Sequence, residues 1–357
     1  MTPNHRHIPA GTPLGDLLRL VPEVESGADN ASVFLSVAVR TQGTRATLAD
    51  TLTCLAAQTC DDLEVLLYVD TTVDANEAAV RAMLASFDET FRSRVRVERL
   101  EAGNRVAPLN RAIESATGRY LAILDDDDLV FANWVEDFLA SEAPGRMLRS
   151  RAVEQEVHLT TGGVSDLEPV SGFVSPYAER FDMLQHVGVN HSPIHTLAFP
   201  LQQLRQWGLR FDPTLPVLED WDLLLRTAPW TGVIDTGHIT ALYRKWGHTE
   251  ASIHKVPKSE WAAASDALLD RLDARPLLLP PGSARQIHQL VNTYEIAIGR
   301  AERAEARIEA IERSRVWRAT KPVRAALQNP KLRGAVRPAL RLVRRMARRS
   351  DRPQGNP

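Results

Sequence analysis

The sequence predicts an α/β protein built on a mostly parallel, doubly wound sheet, followed by a helical, basic C-terminal appendage. Apolar, β-branched runs alternate with helix-period segments from Val33 to Leu124, a pattern typical of strands joined by crossover helices. Two of these strands run into aspartates, and ligands of such sheets bind beyond the carboxyl ends of the strands. The last 46 residues are strongly basic, which sets the appendage apart from the body.

Each element of the alternating region is predicted by its own periodicity. Strands are predicted at 33–39, 63–69, 95–100 and 120–124, and helices at 48–58, 78–84 and 110–116. Residues from about Arg149 to Pro176 are polar and rich in Gly, which predicts an excursion over the site.

A helical segment with a heptad repeat follows the α/β region. Its apolar residues alternate at spacings of three and four over about three and a half repeats. They are Ile287, Leu290, Tyr294, Ala297, Ala301, Ala304, Ile308 and Ile311. Such a seam either packs against the body or pairs with a second chain as a homodimer.

The composition excludes several classes of protein. The 357 residues, 44% of them hydrophobic, allow a sizeable core. Cys54 and Cys60 are the only cysteines, so the chain does not depend on disulfides and a reducing cytosol is the simplest compartment. No apolar run approaches the ~20 residues of a membrane-spanning helix. The first 31 residues lack a signal-peptide layout and predict a loose leader.

Four consecutive aspartates, Asp125 to Asp128, follow directly after the predicted strand at 120–124. Their like charges raise one another's pKa, so we expect a positive group beside them. A hard divalent cation takes carboxylate oxygens and leaves positions open for substrate phosphates. The alternative is a solvated acidic turn or helix N-terminus, where Asp is common. The position after a buried strand favours the cation.

Three segments, in this order and spacing, resemble glycosyltransferase family 2. The segment from Asn110 to Asp128 is similar to the donor-site segment of that family, and Leu218 to Leu223 with Arg226 resembles its Glu-Asp motif. Ser36 to Thr41 resembles the opening strand of the family. The helix that follows matches at Arg45, Leu48, Leu52, Leu55 and Gln58. The resemblance extends over roughly residues 33–254.

This resemblance implies a Rossmann-like GT-A fold, a nucleotide-diphosphate-sugar donor, Mn²⁺ or Mg²⁺ as cofactor, and inversion at the anomeric carbon. It implies that Asp127 binds the metal, that Asp125 lies nearer the ribose and that Asp126 shapes the pocket. His248 lies where several members place a histidine near the metal and diphosphate, and it is favoured over His254 because Arg244 and Lys245 precede it.

The same resemblance assigns nucleotide-binding positions. Thr41 and Asp70 match positions around the nucleobase and ribose, Arg105 is expected to face base or phosphate, and Arg45 belongs to the same substrate-binding group. The family commonly has Pro-Thr-Tyr-Asn at residues 40–43 and Asp-Asp-Gly-Ser at 69–72, where this chain differs. The choice of nucleotide is therefore left open.

Asp220 matches the catalytic base of the family. A carboxylate within hydrogen-bond reach of an acceptor hydroxyl can take its proton as general base, with Glu219 and Trp221 expected beside the substrate. The alternative for Glu219 and Asp220 is helix capping. Trp221 and Trp246 either stack on a sugar ring or belong to the core. His191 and His195 either line the acceptor site or form an ordinary loop.

The net charge of −2 conceals a basic tail. Residues 312–357 hold 14 basic and 2 acidic residues, a net +12, which leaves −14 on the rest of the chain. An apolar stripe from Leu332 to Ala347, flanked by arginines, predicts an amphipathic helix suited to an anionic membrane surface. The alternatives are a partner helix and nucleic acid. The segment 314–324 resembles a segment of some bacterial surface-polysaccharide glycosyltransferases.

These observations predict an inverting, metal-dependent glycosyltransferase at the cytoplasmic face of the cell membrane that extends a glycan or a lipid-linked acceptor. The predicted parts are a leader (1–31), a GT-A domain (32–260, with a nucleotide-sugar half to about 130 and an acceptor half from 131), a helical segment (261–312) and a basic tail (313–357). Alternatives are a nucleotidyltransferase on a similar fold and a catalytically degenerate membrane scaffold.

Overall fold

The computed structural model describes residues 33–159, 167–246, 256–274, 277, 279 and 282–321. The strands are β1 Val33–Thr41, β2 Leu63–Asp70, β3 Val95–Leu100, β4 Gly118–Asp125, β5 Leu129–Val130, β6 Met147–Leu159, β7 Leu167–Pro169, β8 Leu197–Pro200 and β9 Val233–Trp246. The helices are α1 Leu48–Ala56, α2 Asp74–Ala85, α3 Glu89–Arg92, α4 Ala107–Ser115, α5 Trp134–Ala140, α6 Met183–Gly188, α7 Leu201–Gln206, α8 Glu219–Thr231, α9 Lys258–Asp273, α10 Ser283–Arg313 and α11 Arg315–Ala319.

The first four strands form a parallel half-sheet in the order β3-β2-β1-β4. Residues 34–39 of β1 are all buried, because helices cover both faces of a parallel sheet and leave no polar side for the strand. In the register of this half-sheet, Arg40 lies beside Tyr68 of β2 and Asp125 of β4. The polar residues that end these strands therefore meet at one edge.

The second half of the sheet is mixed. β4 pairs antiparallel with β8, and β8 pairs antiparallel with β6, which runs parallel to β9. Because β6 extends from Met147 to Leu159, the predicted excursion from about Arg149 is wrong over this stretch. Arg149 and Ser150 are polar, but both are buried within the strand.

Two hydrophobic clusters cover the two faces of the sheet, which confirms the α/β fold class. One cluster includes the buried face of α1, with Leu48, Leu52 and Leu55, and packs against Trp134 of α5. The other joins α4, α7, α8 and α9, with Leu268 of α9 fully within it. The sheet is thus held between two helical layers, as a doubly wound arrangement requires.

The described residues divide into two compact units, one ending at residue 279 and one running from 282 to 321. Helix α9, which the sequence places in a separate segment from 261, belongs to the first unit because Ala264 and Leu268 are buried in its cores. The second unit contains α10 and α11. No helix among the described residues is long and apolar enough to cross a membrane.

Candidate functional site

The site lies where the parallel strands end, and Arg40 stands at its centre. Its guanidinium forms two hydrogen bonds with Asp125, Nε to Oδ1 at 2.7 Å and Nη2 to Oδ2 at 3.1 Å. Nη1 donates to the carbonyl of Arg105 at 2.9 Å and to Oε1 of Glu219 at 3.0 Å. One buried cation thereby joins the end of β4 to the start of α8, two segments far apart in sequence.

The charge of Arg40 sets the ionisation of its partner. Burial alone raises the pKa of Asp125, but the charge and hydrogen bonds of Arg40 outweigh burial and bring it to about 2. Conversely, burial lowers the pKa of Arg40, and the carboxylates of Asp125 and Glu219 more than restore it. Arg40 and Asp125 are therefore a fixed ion pair across the usual pH range.

A second arginine contacts the next two aspartates. Arg45 Nη1 lies 3.1 Å from Asp126 Oδ1 and 2.5 Å from Asp127 Oδ2. Thr41 Oγ1 donates to Asp126 Oδ2 at 2.6 Å, and Trp246 Nε1 donates to Asp127 Oδ2 at 3.0 Å. The positive group expected beside the aspartates is thus present as two arginines.

Asp126 and Asp127 keep raised pKa values despite these donors. Burial is the largest cause for both, and the negative charge of Asp128 adds to it for Asp127. Among the described residues, no donor bonds to Oδ1 of Asp127. This oxygen is an available acceptor for a cation, beside carboxyl groups whose mutual repulsion a cation would relieve.

Asp128 is buried and contacts Arg244 and His195 instead of Arg45. Its Oδ1 accepts from the backbone N–H of Arg244 at 3.1 Å, and its Oδ2 lies 3.1 Å from Nδ1 of His195. The ring of His195 packs edge-on against Tyr243, and neither of its ring nitrogens forms a hydrogen bond in the described part of the chain. This pair fixes the end of β4 against β9 and the turn before β8.

Helix α8 brings two acidic residues to the same place. Glu219, 3% exposed, accepts from Arg40 and lies 3.3 Å from Nη2 of Arg105. Asp220 accepts from the backbone N–H of Trp221 at 2.8 Å. Burial, followed by the charge of Glu219, raises the pKa of Asp220 to about 6. Asp220 thus exchanges a proton closer to neutral pH than an ordinary aspartate does.

The residue before this helix is held in an unfavourable backbone conformation. Leu218 has φ of 66°, the only positive φ outside glycine in the described residues. A left-handed conformation costs a non-glycine residue roughly 1–2 kcal/mol. Such strain is concentrated at functional sites, where surrounding packing fixes it. It sets the direction in which Glu219 and Asp220 enter the site.

The loop that follows β3 forms another wall. Oδ1 of Asp70, at the end of β2, accepts from the backbone N–H groups of Ala102 and Gly103 at 2.9 and 3.2 Å. These bonds fix the loop that contains Arg105, whose guanidinium lies beside Glu219. Asp70 therefore shapes the site through the backbone.

A buried polar network supports the opposite side. Arg149 is fully buried, pairs with Asp235 at 2.6 Å and donates to Ser192 Oγ at 2.7 Å. Ser192 also bonds Nε2 of His186, and the carbonyl of His186 accepts from Trp221 Nε1 at 2.7 Å. Burial lowers the pKa of His186 to about 4, so the ring is neutral at physiological pH. The network ties the 178–195 segment to α8.

The structure brings together most of the residues that the sequence predicts. Arg45 and Thr41 meet the aspartates, while Arg105, Glu219 and Asp220 converge from the other side. Trp221 is only 7% exposed and lies in the core, which favours the core interpretation over sugar stacking. His248 and His254 lie outside the described residues.

Sequence reasoning missed three contributions to the site. Arg40 lies at the end of β1 beside Thr41, but the carboxylates that it binds, Asp125 and Glu219, are distant in sequence and no local pattern marks the contact. Trp246 acts as a hydrogen-bond donor to Asp127. His195 lies against Asp128 rather than in an open loop, and only tertiary structure reveals that contact.

The donor set fits a divalent cation. No group of three or more metal-ligating side chains is preformed in the described part of the chain. Carboxylate oxygens suit Mg²⁺ and Mn²⁺, which commonly bind through one or two carboxylates and substrate phosphates. Asp127 offers an available oxygen as a ligand. Its pKa is raised by burial and by the charge of Asp128, and a bound cation would stabilise the ionised carboxylate.

Comparison with known proteins relates the first part of the sheet, with Arg40, Arg45 and the aspartates, to a family. Residues 36–141 match the family model described as glycosyl transferase family 2. The TarS 1–349 structure from S. aureus in complex with UDP-GlcNAc is 16% identical and has a TM-score of 0.50, over 66% of this chain and 65% of that chain. No curated protein sequence matches the chain.

Two further structures have lower scores. TarS 1–349 in another crystal structure is 17% identical with a TM-score of 0.46, over 59% of this chain and 60% of that one. The mannosyltransferase PcManGT from Pyrobaculum calidifontis, in complex with GDP-Man and Mn²⁺, is 16% identical with a TM-score of 0.49, over 90% of this chain and 88% of that chain. The chain covers about 60 to 65% of the length of the TarS 1–349 structures.

Proposed function

We propose that this chain, a member of glycosyltransferase family 2, transfers a sugar from a nucleotide-diphosphate-sugar to a hydroxyl group of an acceptor, with inversion at the anomeric carbon. The observation that carries the proposal is the junction at Arg40. This residue bonds Asp125 at the end of β4 and Glu219 at the start of α8. It therefore links the aspartates proposed to bind the donor to the helix that carries the proposed base.

The donor half is the group formed by Thr41, Arg45 and the three aspartates Asp125 to Asp127. Thr41 and Arg45 hold Asp126 and orient Asp127. Asp70 and Arg105 border the same strand ends, where the nucleotide of a doubly wound fold binds. Arg45 is 34% exposed, and its guanidinium can pass from Asp127 to a phosphate of the donor because both are oxyanions.

Asp127 would hold the divalent cation, Mn²⁺ or Mg²⁺, with His248 as its companion by family resemblance. When bound, the cation supplies Lewis-acid stabilisation for the charge that develops on the leaving diphosphate. The role of this chain is to present an ionisable carboxylate. Trp246 and Arg45 fix the other oxygen of that carboxylate at Oδ2.

The acceptor half depends on Asp220. Its raised pKa makes it a stronger base than an ordinary aspartate, an advantage for removing a proton from a hydroxyl group. Arg40 and Arg105 engage Glu219 and leave Asp220 as the proton acceptor. Attack by the deprotonated hydroxyl opposite the leaving group is a single displacement, which inverts the configuration.

The acceptor is proposed to be a growing glycan or lipid-linked glycan at the cytoplasmic face of a bacterial cell membrane. The +12 charge of residues 312–357 supports it, because each basic residue near anionic headgroups contributes ~1 kcal/mol to binding. The stripe from Leu332 to Ala347, on which the amphipathic helix depends, lies outside the described residues.

A screen of nucleotide sugars tests the function. Binding is measured with and without Mn²⁺, starting with UDP-GlcNAc, and the nucleotide released during turnover is identified. We expect Mn²⁺-dependent binding of a nucleotide sugar and release of a nucleoside diphosphate. Release of pyrophosphate would identify a nucleotidyltransferase instead, and no binding of any donor would identify a degenerate scaffold.

A further inference from the structure

Helix α10 displays a continuous apolar seam to solvent. All eight seam residues, from Ile287 to Ile311, are exposed in the structure. The largest exposed fractions are 66% for Leu290, 63% for Tyr294 and 56% for Ile308. A 31-residue helix with one long apolar side in water requires a partner, because helices in proteins gain most of their stability from burying such a side.

The residues that flank the seam show which partner fits. With Ile287 at heptad position a and Leu290 at d, Arg300 and Arg307 occupy position g, and Glu305 and Glu312 occupy position e. In a parallel coiled coil, each g residue faces the e residue of the next heptad on the partner helix. Arg300 would therefore meet Glu305, and Arg307 would meet Glu312, on each side of the pair.

These four charges are available for that purpose. None of them forms an ion pair within the described part of the chain. The one ion pair of α10 among the described residues, Glu309 with Arg313, joins positions b and f on the outer side of the helix. The four pairing charges are thus the ones that flank the seam, and they have no ion-pair partner within their own helix.

We propose that α10 pairs with α10 of a second copy of this chain as a parallel, in-register coiled coil. The alanines at 297, 301 and 304 allow the helices to approach closely, while Leu290, Tyr294, Ile308 and Ile311 close the two ends of the seam. In an antiparallel pair, g residues face g residues of the partner helix and e residues face e residues. Arg300 would then lie near a like charge or opposite an uncharged residue, so the four charges do not support that arrangement.

The oligomeric state of the full chain is the first test. Light scattering coupled to size exclusion, over a concentration series, should give a dimer at the highest concentrations. The double variant Arg300→Glu with Arg307→Glu replaces four attractive pairs by four repulsive ones, and we expect the dimer Kd to rise on the order of 10- to 100-fold at low salt. Combining Glu305→Arg with Glu312→Arg should weaken the dimer equally, and mixing the two double variants should restore association.

A matched control carries the same change of charge on the outer side. Arg285 and Arg303 occupy positions f and c, so the variant Arg285→Glu with Arg303→Glu should dimerise as the native chain does. Circular dichroism of each variant shows whether helix content is kept. A monomer at all concentrations would overturn the proposal, as would equal weakening in the control, because the seam would then be covered in another way.

Orientation needs a separate measurement. Ala304 occupies position d, and in a parallel pair its two copies face one another. The variant Ala304→Cys should form an interchain disulfide on mild oxidation, whereas Ala306→Cys, at the outer position f, should not. A dimer in which Ala304→Cys fails to crosslink would refute the parallel, in-register arrangement.

Discussion

Arg40 holds together carboxylates that would otherwise repel one another. Replacing it with methionine removes the partner of Asp125 and Glu219, two largely buried groups. Breaking a buried ion pair on one side costs roughly 3–5 kcal/mol. We expect Arg40→Met to lower the free energy of unfolding by about that amount in urea titrations.

The control is an arginine in an exposed pair. Arg81 pairs with Glu77 on α2 and is 54% exposed, so Arg81→Met should cost less than about 1 kcal/mol. Equal effects of the two substitutions would mean that Arg40 contributes no more than a surface charge.

Asp220 makes the reaction depend on pH. A general base must be ionised, and because its pKa is raised to about 6, activity should fall as the pH decreases through about 6. Glu219 contributes to that increase in the pKa, so Glu219→Gln should move the acid limb of kcat/KM to lower pH. An acid limb that stays in place in this variant would argue against Asp220 as the titrating group.

The same shift has a consequence for stability. A carboxyl group whose pKa is higher in the folded protein than in the unfolded chain contributes stability at low pH, and this contribution is lost as the pH rises through the folded value. Above about pH 6, the ionised Asp220 therefore destabilises the fold. Asp220→Asn should raise the Tm at pH 8 and change it little at pH 4; a lower Tm at pH 8 would contradict this reasoning.

At the scale of elements, the turn after β1 positions Thr41 at the donor site. Gly43 has φ of 72°, and a Cβ there would lie 2.8 Å from the backbone oxygen of Asn76 at the start of α2. Its backbone N–H donates to Thr41 Oγ1 at 3.0 Å. Gly43→Ala should therefore both destabilise the protein and weaken donor binding.

Gly103 gives a matched control for that substitution. It has φ of 63°, but a Cβ there would meet nothing within 4 Å, so Gly103→Ala carries only the backbone cost of roughly 1 kcal/mol. Thermal unfolding should show a larger decrease in Tm for Gly43→Ala. Equal decreases in Tm for the two variants would mean that the Cβ of Gly43→Ala is accommodated against α2 without cost.

The same elements show how far the sequence could predict the fold. Strands β1, β2 and β4 were predictable because a parallel sheet buried on both faces leaves continuous apolar runs. The edge strand β3 was predictable because its apolar and charged residues alternate. Strand β6 was not predictable, because its buried Arg149 is satisfied by Asp235, Ser192 and backbone carbonyls distant in sequence. Hydropathy alone cannot detect such a network.

The candidate site was predictable in its carboxylates and less so in its cations. The aspartates form a contiguous run at a strand end, and Asp220 belongs to a compact motif. Arg40 could not be assigned, because its two carboxylate partners lie 85 and 179 residues away in sequence. Trp246 likewise reaches Asp127 only because β9 closes the sheet beside β6.

At the scale of the whole molecule, the acidic body and basic tail are expected to act separately. Deleting the residues after Glu312 removes nearly all of the +12 segment, including α11, and leaves the first compact unit intact. In cosedimentation with vesicles containing anionic lipid, the shortened chain should lose binding that the full chain shows at low salt. Neutral vesicles serve as the control, and unchanged binding to anionic vesicles would refute the role of the tail.

Asp127 and Asp220 are proposed to have separate roles, Asp127 in donor binding and Asp220 in proton removal. Calorimetric affinity for the nucleotide sugar, with and without Mn²⁺, measured alongside turnover, tests these roles in three proteins: native, Asp127→Asn and Asp220→Asn. We predict that Asp220→Asn binds the donor as the native protein does but turns over on the order of 10²- to 10⁴-fold more slowly, while Asp127→Asn loses the gain in affinity from Mn²⁺. Native turnover in Asp220→Asn, or unchanged Mn²⁺ dependence in Asp127→Asn, would contradict the account.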